Sequence, residues 1–371
     1  MPTKVTVLGA GNGGYALAAH LGIMGHEVCL YEHPDFKQAV EPVQKAGCIT
    51  AEETEGEFKA AVHGVGKVLL ATTEIKDAIN FCEVVMIIVP AFGQVPIFKL
   101  ALPHLRDGQV VMSMPGNFAS LEYGKLMKEE KVNKQMYFVD TDSIPYACRK
   151  LKDNKVFISG QKLLLNTGVY PAEATDKVLV QVQPLFQLKL QKKANVIEAA
   201  MSNMNMILHP PPVVFNAGWI EVTKGNYSFY HDGCSPSVCR VMHAVDKERL
   251  EIAKLLKMNV EGLVPIFRSW YGYEGDDFIY PYVHNGKYHR YFPAPSVIDS
   301  RYISEDIAFL LLPLRALARK YNIATPVIDS MVLLAEVMLE RKIEPARGFD
   351  LVAIDGEPID KMHDRLNKYL V

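Results

Sequence analysis

The stretch KVTVLGAGNGGYALAAHLGIMGHEVCLYE, residues 4–32, decides the fold that the sequence predicts. Its first five residues are rich in β-branched side chains and predict a strand. Residues 9–14 fit the pattern G-x-G-x-x-G, residues 15–24 suit a buried helix, and residues 27–31 predict a second strand. Because the glycine pattern lies between a strand and a helix, and a second strand follows, the stretch predicts a Rossmann dinucleotide-binding domain.

Each glycine of this pattern has its own expected role. Gly9 allows a tight turn after the strand, Gly11 lets a pyrophosphate approach the backbone, and Gly14 lets the helix pack closely on the strand. Unpaired N–H groups and the dipole at the helix start favour a phosphate anion. We therefore predict that Gly9, Gly11, Asn12, Gly13 and Gly14 bind the cofactor. The alternative is a doubly wound domain whose glycine-rich turn binds no dinucleotide.

Glu32 follows the second strand at about the spacing expected for the acidic group that binds a ribose 2′-hydroxyl. A carboxylate at this position repels a 2′-phosphate, so the sequence favours NAD over NADP. The neighbouring His33 weakens this preference because it could offset part of the negative charge. NADP therefore stays open as the cofactor.

The composition is that of an ordinary globular protein, with 371 residues, 49% hydrophobic and 22% charged residues, and a formal net charge of −2. This balance gives no electrostatic reason to expect nucleic acid or an anionic membrane as a partner. No apolar run reaches the ~18–20 residues of a membrane span. The first predicted strand begins almost at the N-terminus, and the six cysteines form no C-x-x-C pair. We expect a cytoplasmic protein with reduced thiols and no structural metal.

Strands and helices alternate through the first half of the chain, which predicts a mostly parallel sheet. Val89 and Pro90 follow a buried strand, and Asn117 follows the next one. Ligands of open α/β sheets bind at the carboxyl ends of strands, so Val89 and Pro90 should border the nicotinamide. The second half is almost wholly helical. We predict a Rossmann domain over residues 1–188 and an all-α C-terminal domain over residues 189–371.

A second group of chemically informative residues surrounds His209. Asn205 and His209 are four residues apart and share one helix face. Three prolines at 210–212 should prevent the helix from continuing, which leaves His209 at a helix C-terminus where the dipole favours the imidazolium. His209 is a candidate acid/base group. The alternative is a histidine that only caps its helix.

Residues 300–307 (SRYISEDI) resemble a helix start, with Ser304 as the N-cap. Asp306 could supply the carboxylate that keeps a histidine basic, although Glu305 and Asp306 could also only complement the helix dipole. Arg301 could bind a carboxylate through both arms of its guanidinium, or be an ordinary surface charge.

These motifs together resemble the octopine/nopaline (opine) dehydrogenase family over nearly the whole chain. The resemblance rests on five segments in the family's order: residues 9–14 (GAGNGG), 145–149 (PYACR), 205–210 (NMILHP), 230–238 (YHDGCSPSV) and 301–306 (RYISED). It implies a Rossmann domain, an all-helical second domain and an active site in the cleft. It also implies NAD(P)H-dependent reductive condensation of an α-keto acid with the amino group of an amino acid.

The resemblance also assigns roles to single residues. The family's catalytic His–Asp dyad matches His209 and Asp306, and its substrate-binding arginine matches Arg301. Three further substrate-side positions match side chains of this sequence, namely Asn205, Asn117 and Cys148. The expected partners are a small keto acid and an amino acid, and a homodimer is left open.

Two other functions remain alternatives at this point. The first is a 2-hydroxy acid or ketopantoate-type reductase, which also joins a Rossmann domain to a helical one. The second is a regulatory protein that binds NAD without turnover. The first would oxidise NADH with a keto acid alone, and the second would not oxidise it with any substrate pair.

Overall fold

The computed structural model describes residues 2–56, 58–272, 274–286 and 292–368. The chain divides into two compact units. The first unit is Met1–Val196 together with Asn367–Val371, and the second is Ile197–Leu366.

The strands of the chain all lie in the first unit, as far as the described residues show. In chain order they are β1 Lys4–Leu8, β2 Glu27–Tyr31, β3 Cys48–Glu52, β4 Thr54–Glu55, β5 Phe58–Lys59, β6 Gly64–Lys67, β7 Leu70–Thr72, β8 Val84–Ile87, β9 Val110–Ser113, β10 Tyr137–Thr141, β11 Tyr146–Lys150, β12 Lys155–Gln161, β13 Leu164–Tyr170 and β14 Lys189–Lys192.

The main sheet has the order β14-β13-β10-β9-β8-β1-β2-β7. Its strand pairs are parallel except for the antiparallel pair of β10 with β13. Every residue of β8 and β9 is buried, as in a parallel sheet that is covered on both faces. The predicted mostly parallel Rossmann sheet is confirmed.

Helices connect these strands. They are α1 Asn12–Ile23, α2 Glu41–Ala46, α3 Ile75–Asn80, α4 Ala91–Ala101, α5 Ala119–Glu129 and α6 Thr175–Val182, with 3₁₀ turns at Pro34–Ala39, Leu102–His104, Ala172–Ala174 and Gln183–Leu185. Residues 14–21 of α1 are all buried. A helix that is apolar on every side must be covered on every side, and the second sheet, of order β11-β12-β3-β6, packs on α1.

The first unit continues beyond residue 188, where the sequence placed the domain boundary. The reason is β14, which pairs in parallel with β13 from the register Leu164 with Lys189 onward. This edge strand belongs to the main sheet, so the compact unit ends at Val196 rather than before Lys189.

The second unit is helical throughout its described residues. Its helices are α7 Val196–Met201, α8 Asn205–Leu208, α9 Pro210–Phe215, α10 Ala217–Thr223, α11 Pro236–Leu255, α12 Leu263–Tyr271, α13 Tyr280–Asn285, α14 Arg301–Ser304, α15 Leu312–Lys320, α16 Pro326–Leu339 and α17 Ile359–Asn367, and a π-helical turn at Ile307–Leu311 joins α14 to α15. In the part of the chain that the structure describes, no helix is both long and apolar enough to span a membrane.

Candidate active site

The glycine-rich turn joins β1 to α1, and two of its glycines are required by close packing. Gly9 has φ +109°, and a Cβ there would lie 2.6 Å from Val89 Cγ1. A Cβ on Gly14 would lie 1.8 Å from the carbonyl oxygen of Gly9. Neither position accepts a side chain without moving the backbone, so these two residues create the tight turn and the close approach of helix to strand.

Gly11 is different because the space around it is open. It is exposed, and a Cβ built there has no heavy atom within 4 Å. No side chain caps the start of α1 in the described structure, so the first-turn N–H groups are left to water or a ligand. Open space beside bare backbone donors fits the pyrophosphate of a dinucleotide.

Asn12 is held by β11, which crosses the turn. Its Oδ1 accepts a hydrogen bond from the backbone N–H of Lys150 at 2.9 Å. The Cys148 thiol donates to the Asn12 carbonyl oxygen at 3.4 Å. The Asn12 side chain therefore supports the turn, and its backbone N–H is the group left for an anion. Burial raises the pKa of the Cys148 thiol to about 12, so this cysteine is not a thiolate near neutral pH.

Glu32 lies directly beside the turn, as the sequence predicts. One carboxylate oxygen accepts the N–H of Ala10 at 2.8 Å, and the other accepts the N–H of His33 at 2.9 Å. The His33 ring turns away towards Asp35, with 3.4 Å between His33 Nδ1 and Asp35 Oδ2. The carboxylate is thus fixed where a ribose hydroxyl is expected.

The ends of β8 and β9 carry the other predicted first-unit residues. Val89 touches the Gly9 position, and Pro90 is the N-cap of α4. Asn117 follows β9 with φ +51° and is 1% exposed. Because β8 and β9 are paired neighbours in the sheet, both loops lie at its carboxyl edge.

The second unit brings His209 and Asp306 together from positions 97 residues apart. The distance from His209 Nδ1 to Asp306 Oδ2 is 2.7 Å, and both residues are buried. A carboxylate only accepts hydrogen bonds, so Nδ1 carries the proton in this contact. The second ring nitrogen, Nε2, lies 2.9 Å from the Tyr230 hydroxyl. Both ring nitrogens therefore contact side chains, although His209 is also the C-cap residue of α8.

The helix before His209 ends where the sequence predicts, because α8 ends at Leu208 and His209 is its C-cap. His209 donates its backbone N–H to the Asn205 carbonyl at 3.1 Å, which preserves the predicted one-turn spacing. The three prolines that follow also begin a new helix, which the sequence did not predict. They form the first turn of α9, where proline is tolerated because no N–H partner is needed there. His209 lies between the end of α8 and the start of α9, so opposite helix dipoles meet there, and Asp306 is the charge that faces its ring.

The segment that carries Asp306 also differs from the prediction. The N-cap of α14 is Ser300, one turn before the predicted Ser304, which is the last residue of α14. Asp306 directly precedes the π-helical turn, and its carbonyl accepts the N–H of Leu311 at 3.1 Å. Such π turns are frequent at functional sites because they change the direction of the side chains before them.

Arg301 and Asn205 lie near this pair. Arg301 is exposed, and its guanidinium carbon lies 5.4 Å from the centre of the Tyr302 ring. The Tyr302 ring packs on the imidazole of His209 with 4.2 Å between ring centres. Arg301 is therefore next to the residue that covers the histidine. Asn205 is half-buried, and its backbone N–H donates to the Asn203 side chain at 2.9 Å.

Two family models and several known proteins match this chain. The family model for the α-helical domain of NAD/NADP octopine/nopaline dehydrogenases matches residues 192–339, and the model for the N-terminus of NAD-dependent glycerol-3-phosphate dehydrogenases matches residues 4–136. An opine dehydrogenase from Arthrobacter sp. (strain 1C) is 28% identical over 335 residues, which cover 90% of each chain.

The helical part of the chain matches the octopine/nopaline (opine) dehydrogenase family.

Solved structures show the same fold. An octopine dehydrogenase in complex with NADH and agmatine is 18% identical, with a TM-score of 0.70 over 99% of this chain and 96% of that one. A yersinopine dehydrogenase with NADP⁺ bound is 13% identical, with a TM-score of 0.68 over 99% of this chain and 98% of that one. Together, the two family-model matches and these relatives indicate an oxidoreductase with a nicotinamide cofactor, NAD or NADP.

Three side chains at the two candidate sites were not assigned from the sequence. Tyr230 and Tyr302 contact the histidine, and Lys150 lies on the glycine-rich turn, where its ammonium donates to the Ala10 carbonyl at 3.2 Å. Burial lowers the pKa of Lys150, and Glu32 acts against that shift. Tyr230 and Tyr302 fall inside motifs that the sequence shares with the family, and this was the available signal. Nothing in the sequence marks Lys150, because its contact depends on β11 crossing the turn.

Proposed function

We propose that this chain catalyses the NAD(P)H-dependent reductive condensation of an α-keto acid with the amino group of an amino acid, through an imine. The observation that carries the proposal is the buried pair of His209 and Asp306 within the domain that matches the family's helical-domain model. The reaction joins the carbonyl carbon to the amine nitrogen, releases the carbonyl oxygen as water and reduces the resulting C=N bond.

A bound reduced nicotinamide would supply the hydride for that last step. The residues that would hold it are those of the glycine-rich turn and its surroundings: Gly9, Gly11, Asn12, Gly13, Gly14, Glu32, Val89 and Pro90. Glu32 supports NAD as the preferred cofactor, because its fixed carboxylate would repel a 2′-phosphate.

His209 serves as the acid/base group in this proposal. Its Nδ1–H is held by Asp306, so proton exchange takes place at Nε2. In the reductive direction the imidazolium gives a proton to the reacting nitrogen or to the departing oxygen, and in the oxidative direction neutral Nε2 accepts it. Asp306 orients the ring and fixes its tautomer, as an aspartate does beside a catalytic histidine.

Substrate binding is assigned to four side chains. Arg301 would bind a substrate carboxylate with both guanidinium arms. It is exposed, and its guanidinium lies close to the Tyr302 ring, which packs on His209. Asn205, Asn117 and Cys148 are proposed as further substrate contacts on the basis of the family resemblance. A cytoplasmic location and a homodimeric state remain predictions from the sequence.

The test is a panel of amino acids offered to the purified protein with pyruvate, while the absorbance of NADH or NADPH is followed. We expect oxidation of the cofactor only when keto acid and amine are both present. Oxidation with the keto acid alone would favour a 2-hydroxy acid or ketopantoate-type reductase. Cofactor binding without oxidation in any mixture would favour a regulatory protein.

The His209→Ala variant provides the matched control for this assay. Positioned acid/base groups contribute about 10²–10⁴-fold in rate, so turnover should fall by that factor. Binding of NADH, followed by its fluorescence, should be retained because the glycine-rich turn belongs to the other compact unit. Turnover close to that of the unmodified protein would exclude His209 as the acid/base group.

A further inference from the structure

We propose that the Tyr230 hydroxyl is the proton relay between His209 and the substrate. This inference rests on the proposed function and adds a third group to the His–Asp pair. Both imidazole nitrogens have a hydrogen-bond partner. Nδ1 lies 2.7 Å from Asp306 Oδ2, and Nε2 lies 2.9 Å from Tyr230 Oη.

Nε2 is the nitrogen that must exchange a proton, because Nδ1 is committed to a carboxylate acceptor. Among the described residues, the group within hydrogen-bond distance of Nε2 is the Tyr230 phenol, and the His209 side chain is only 8% exposed. A proton that enters or leaves His209 therefore meets the Tyr230 oxygen first.

A hydroxyl suits this position because it both donates and accepts. When His209 is neutral, Tyr230 donates its O–H to Nε2. When His209 is charged, its Nε2–H donates to Tyr230 Oη, and the phenolic O–H is then directed elsewhere. Both protonation states keep a complete hydrogen bond at Nε2, so the ring does not have to turn during the reaction.

The segment around Tyr230 is held in place by ring packing and backbone hydrogen bonds. This restraint suits a relay, which needs the hydroxyl at a fixed position. The Tyr230 ring meets the Phe229 ring edge-on at 5.0 Å, and the Phe292 ring at 6.2 Å. The Phe229 N–H donates to the Phe292 carbonyl at 2.8 Å, and the Tyr230 carbonyl accepts the N–H of Cys234 at 3.2 Å. Restraint on both sides fixes the direction in which the hydroxyl points.

The residue after Tyr230 adds a second restraint. His231 and His284 stack with 4.0 Å between ring centres. Each ring donates its Nδ1–H to the backbone carbonyl of the other residue at 2.7 Å. This reciprocal pair ties the Tyr230 segment to α13, so movement of the tyrosine would have to break two hydrogen bonds and a stacked contact.

The proton balance of the relay is simple. In the reductive direction the Nε2–H bond of the imidazolium breaks as a new O–H bond forms on Tyr230. The original phenolic O–H bond breaks as its proton passes to the substrate nitrogen or to the leaving oxygen. Tyr230 ends as it began, His209 ends neutral, and one proton has reached the substrate. The oxidative direction reverses each transfer.

The variant that tests the relay is Tyr230→Phe, which keeps the ring and removes only the hydroxyl. The matched control is Tyr227→Phe, three residues earlier, whose hydroxyl is buried without a hydrogen-bond partner among the described residues and whose ring stacks on Trp219 at 4.0 Å. We expect kcat to fall at least about tenfold in Tyr230→Phe, with little change in KM, since an acid/base step is impaired. Tyr227→Phe should keep the kcat of the unmodified protein.

Two measurements separate a relay from a merely structural role. In mixtures of light and heavy water, kcat of the unmodified enzyme should fall along a curve, because two protons move together, and this experiment needs no variant. In the cofactor-free protein, the nitrogen NMR signal of His209 Nε2 should shift in Tyr230→Phe and stay in place in Tyr227→Phe. A straight-line isotope dependence, or an unchanged kcat in a folded Tyr230→Phe, would overturn the relay.

Failure of the relay can be distinguished from failure of the proposed function. If the unmodified protein oxidises no cofactor with any keto acid and amine, the function fails, and the NMR arm still reports on the Tyr230 contact. If the unmodified protein is active and Tyr230→Phe matches it, the function stands and the relay is wrong.

Discussion

The glycine-rich turn and the His209 centre are built in opposite ways. The turn comes from a few consecutive residues and consists mostly of backbone, with its shape set by the contacts of Gly9 and Gly14. The His209 centre consists of side chains, and it joins positions that are 97 and 21 residues apart. The glycine-rich turn is formed by residues that are close in sequence, whereas the His209 centre forms only when the helical unit has folded.

This difference decides what each site tolerates. A steric site fails when an atom is added, because the added Cβ collides with the backbone. A hydrogen-bonded site fails when a donor or acceptor is removed, because a buried group is left without its partner. The same conservative substitution therefore has different consequences in the two units, and the following variants test that contrast.

The largest effect is expected from Asp306→Asn. The amide retains the size of the carboxylate but loses its charge and can present a donor to Nδ1, which disturbs the tautomer of His209. We expect kcat to fall about 10²–10⁴-fold, as for an acid/base group that is wrongly oriented. The measurement is steady-state turnover with the best substrate pair.

Glu305→Gln is the control for this variant, because it removes the neighbouring carboxylate and keeps Asp306, which is the carboxylate at 2.7 Å from His209 Nδ1. Equal losses in the two variants would mean that general charge around α14, rather than the contact with Nδ1, controls activity.

The two glycines Gly14 and Gly11 provide the next contrast. Gly14→Ala forces a Cβ to 1.8 Å from the Gly9 carbonyl oxygen, so we expect a loss of about 1–3 kcal/mol or more in the free energy of unfolding. Gly11→Ala finds open space and should keep its thermal stability. Its methyl group would instead occupy the place of the pyrophosphate, and NADH affinity should fall about tenfold, or ~1.4 kcal/mol.

Urea unfolding and NADH titration measure these two effects separately. A stable Gly14→Ala would contradict the close packing of α1 on the turn, and a Gly11→Ala that binds NADH normally would contradict the placement of the pyrophosphate there.

A smaller effect is expected from Glu32→Gln. Loss of the carboxylate charge removes the repulsion of a 2′-phosphate, so the preference for NADH over NADPH should decrease, by about tenfold in the ratio of kcat/KM. The control is Glu27→Gln at the start of β2, where the carboxylate lies 3.9 Å from Lys4 Nζ. An unchanged ratio in Glu32→Gln would place the cofactor-discriminating group elsewhere.

The smallest effect is expected from Cys148→Ser. Burial raises the pKa of this thiol to about 12, so the group stays protonated at and below pH 9 and adds no ionisation to the rate profile there. We expect the pH dependence of kcat/KM between pH 6 and pH 9 to be the same in the variant and the unmodified enzyme. A lost or shifted limb in the variant would show that Cys148 ionises during the reaction.

The sequence predicted the first unit well because its signals are local. The glycine pattern, the buried strands and the position of Glu32 each depend on fewer than about 30 residues of a βαβ unit. Prediction was weaker for the helical unit. Prolines at 210–212 follow the end of α8, as expected, but they also begin α9, since proline prevents helix continuation and is accepted in a first turn. The sequence also placed the helix N-cap at Ser304, whereas the N-cap of α14 is Ser300. Both residues are serines, and either is able to cap a helix.

The sequence by itself determined the Rossmann architecture, the glycine turn and the pairing of an imidazole with a carboxylate that the family resemblance implied. Only the tertiary structure decided that Asp306 reaches Nδ1, that Tyr230 takes Nε2 and that β11 places Lys150 over the turn. The physical reason is range. The steric requirements of the backbone are determined by residues that are adjacent in sequence. A hydrogen bond between distant side chains depends instead on how whole helices and strands pack.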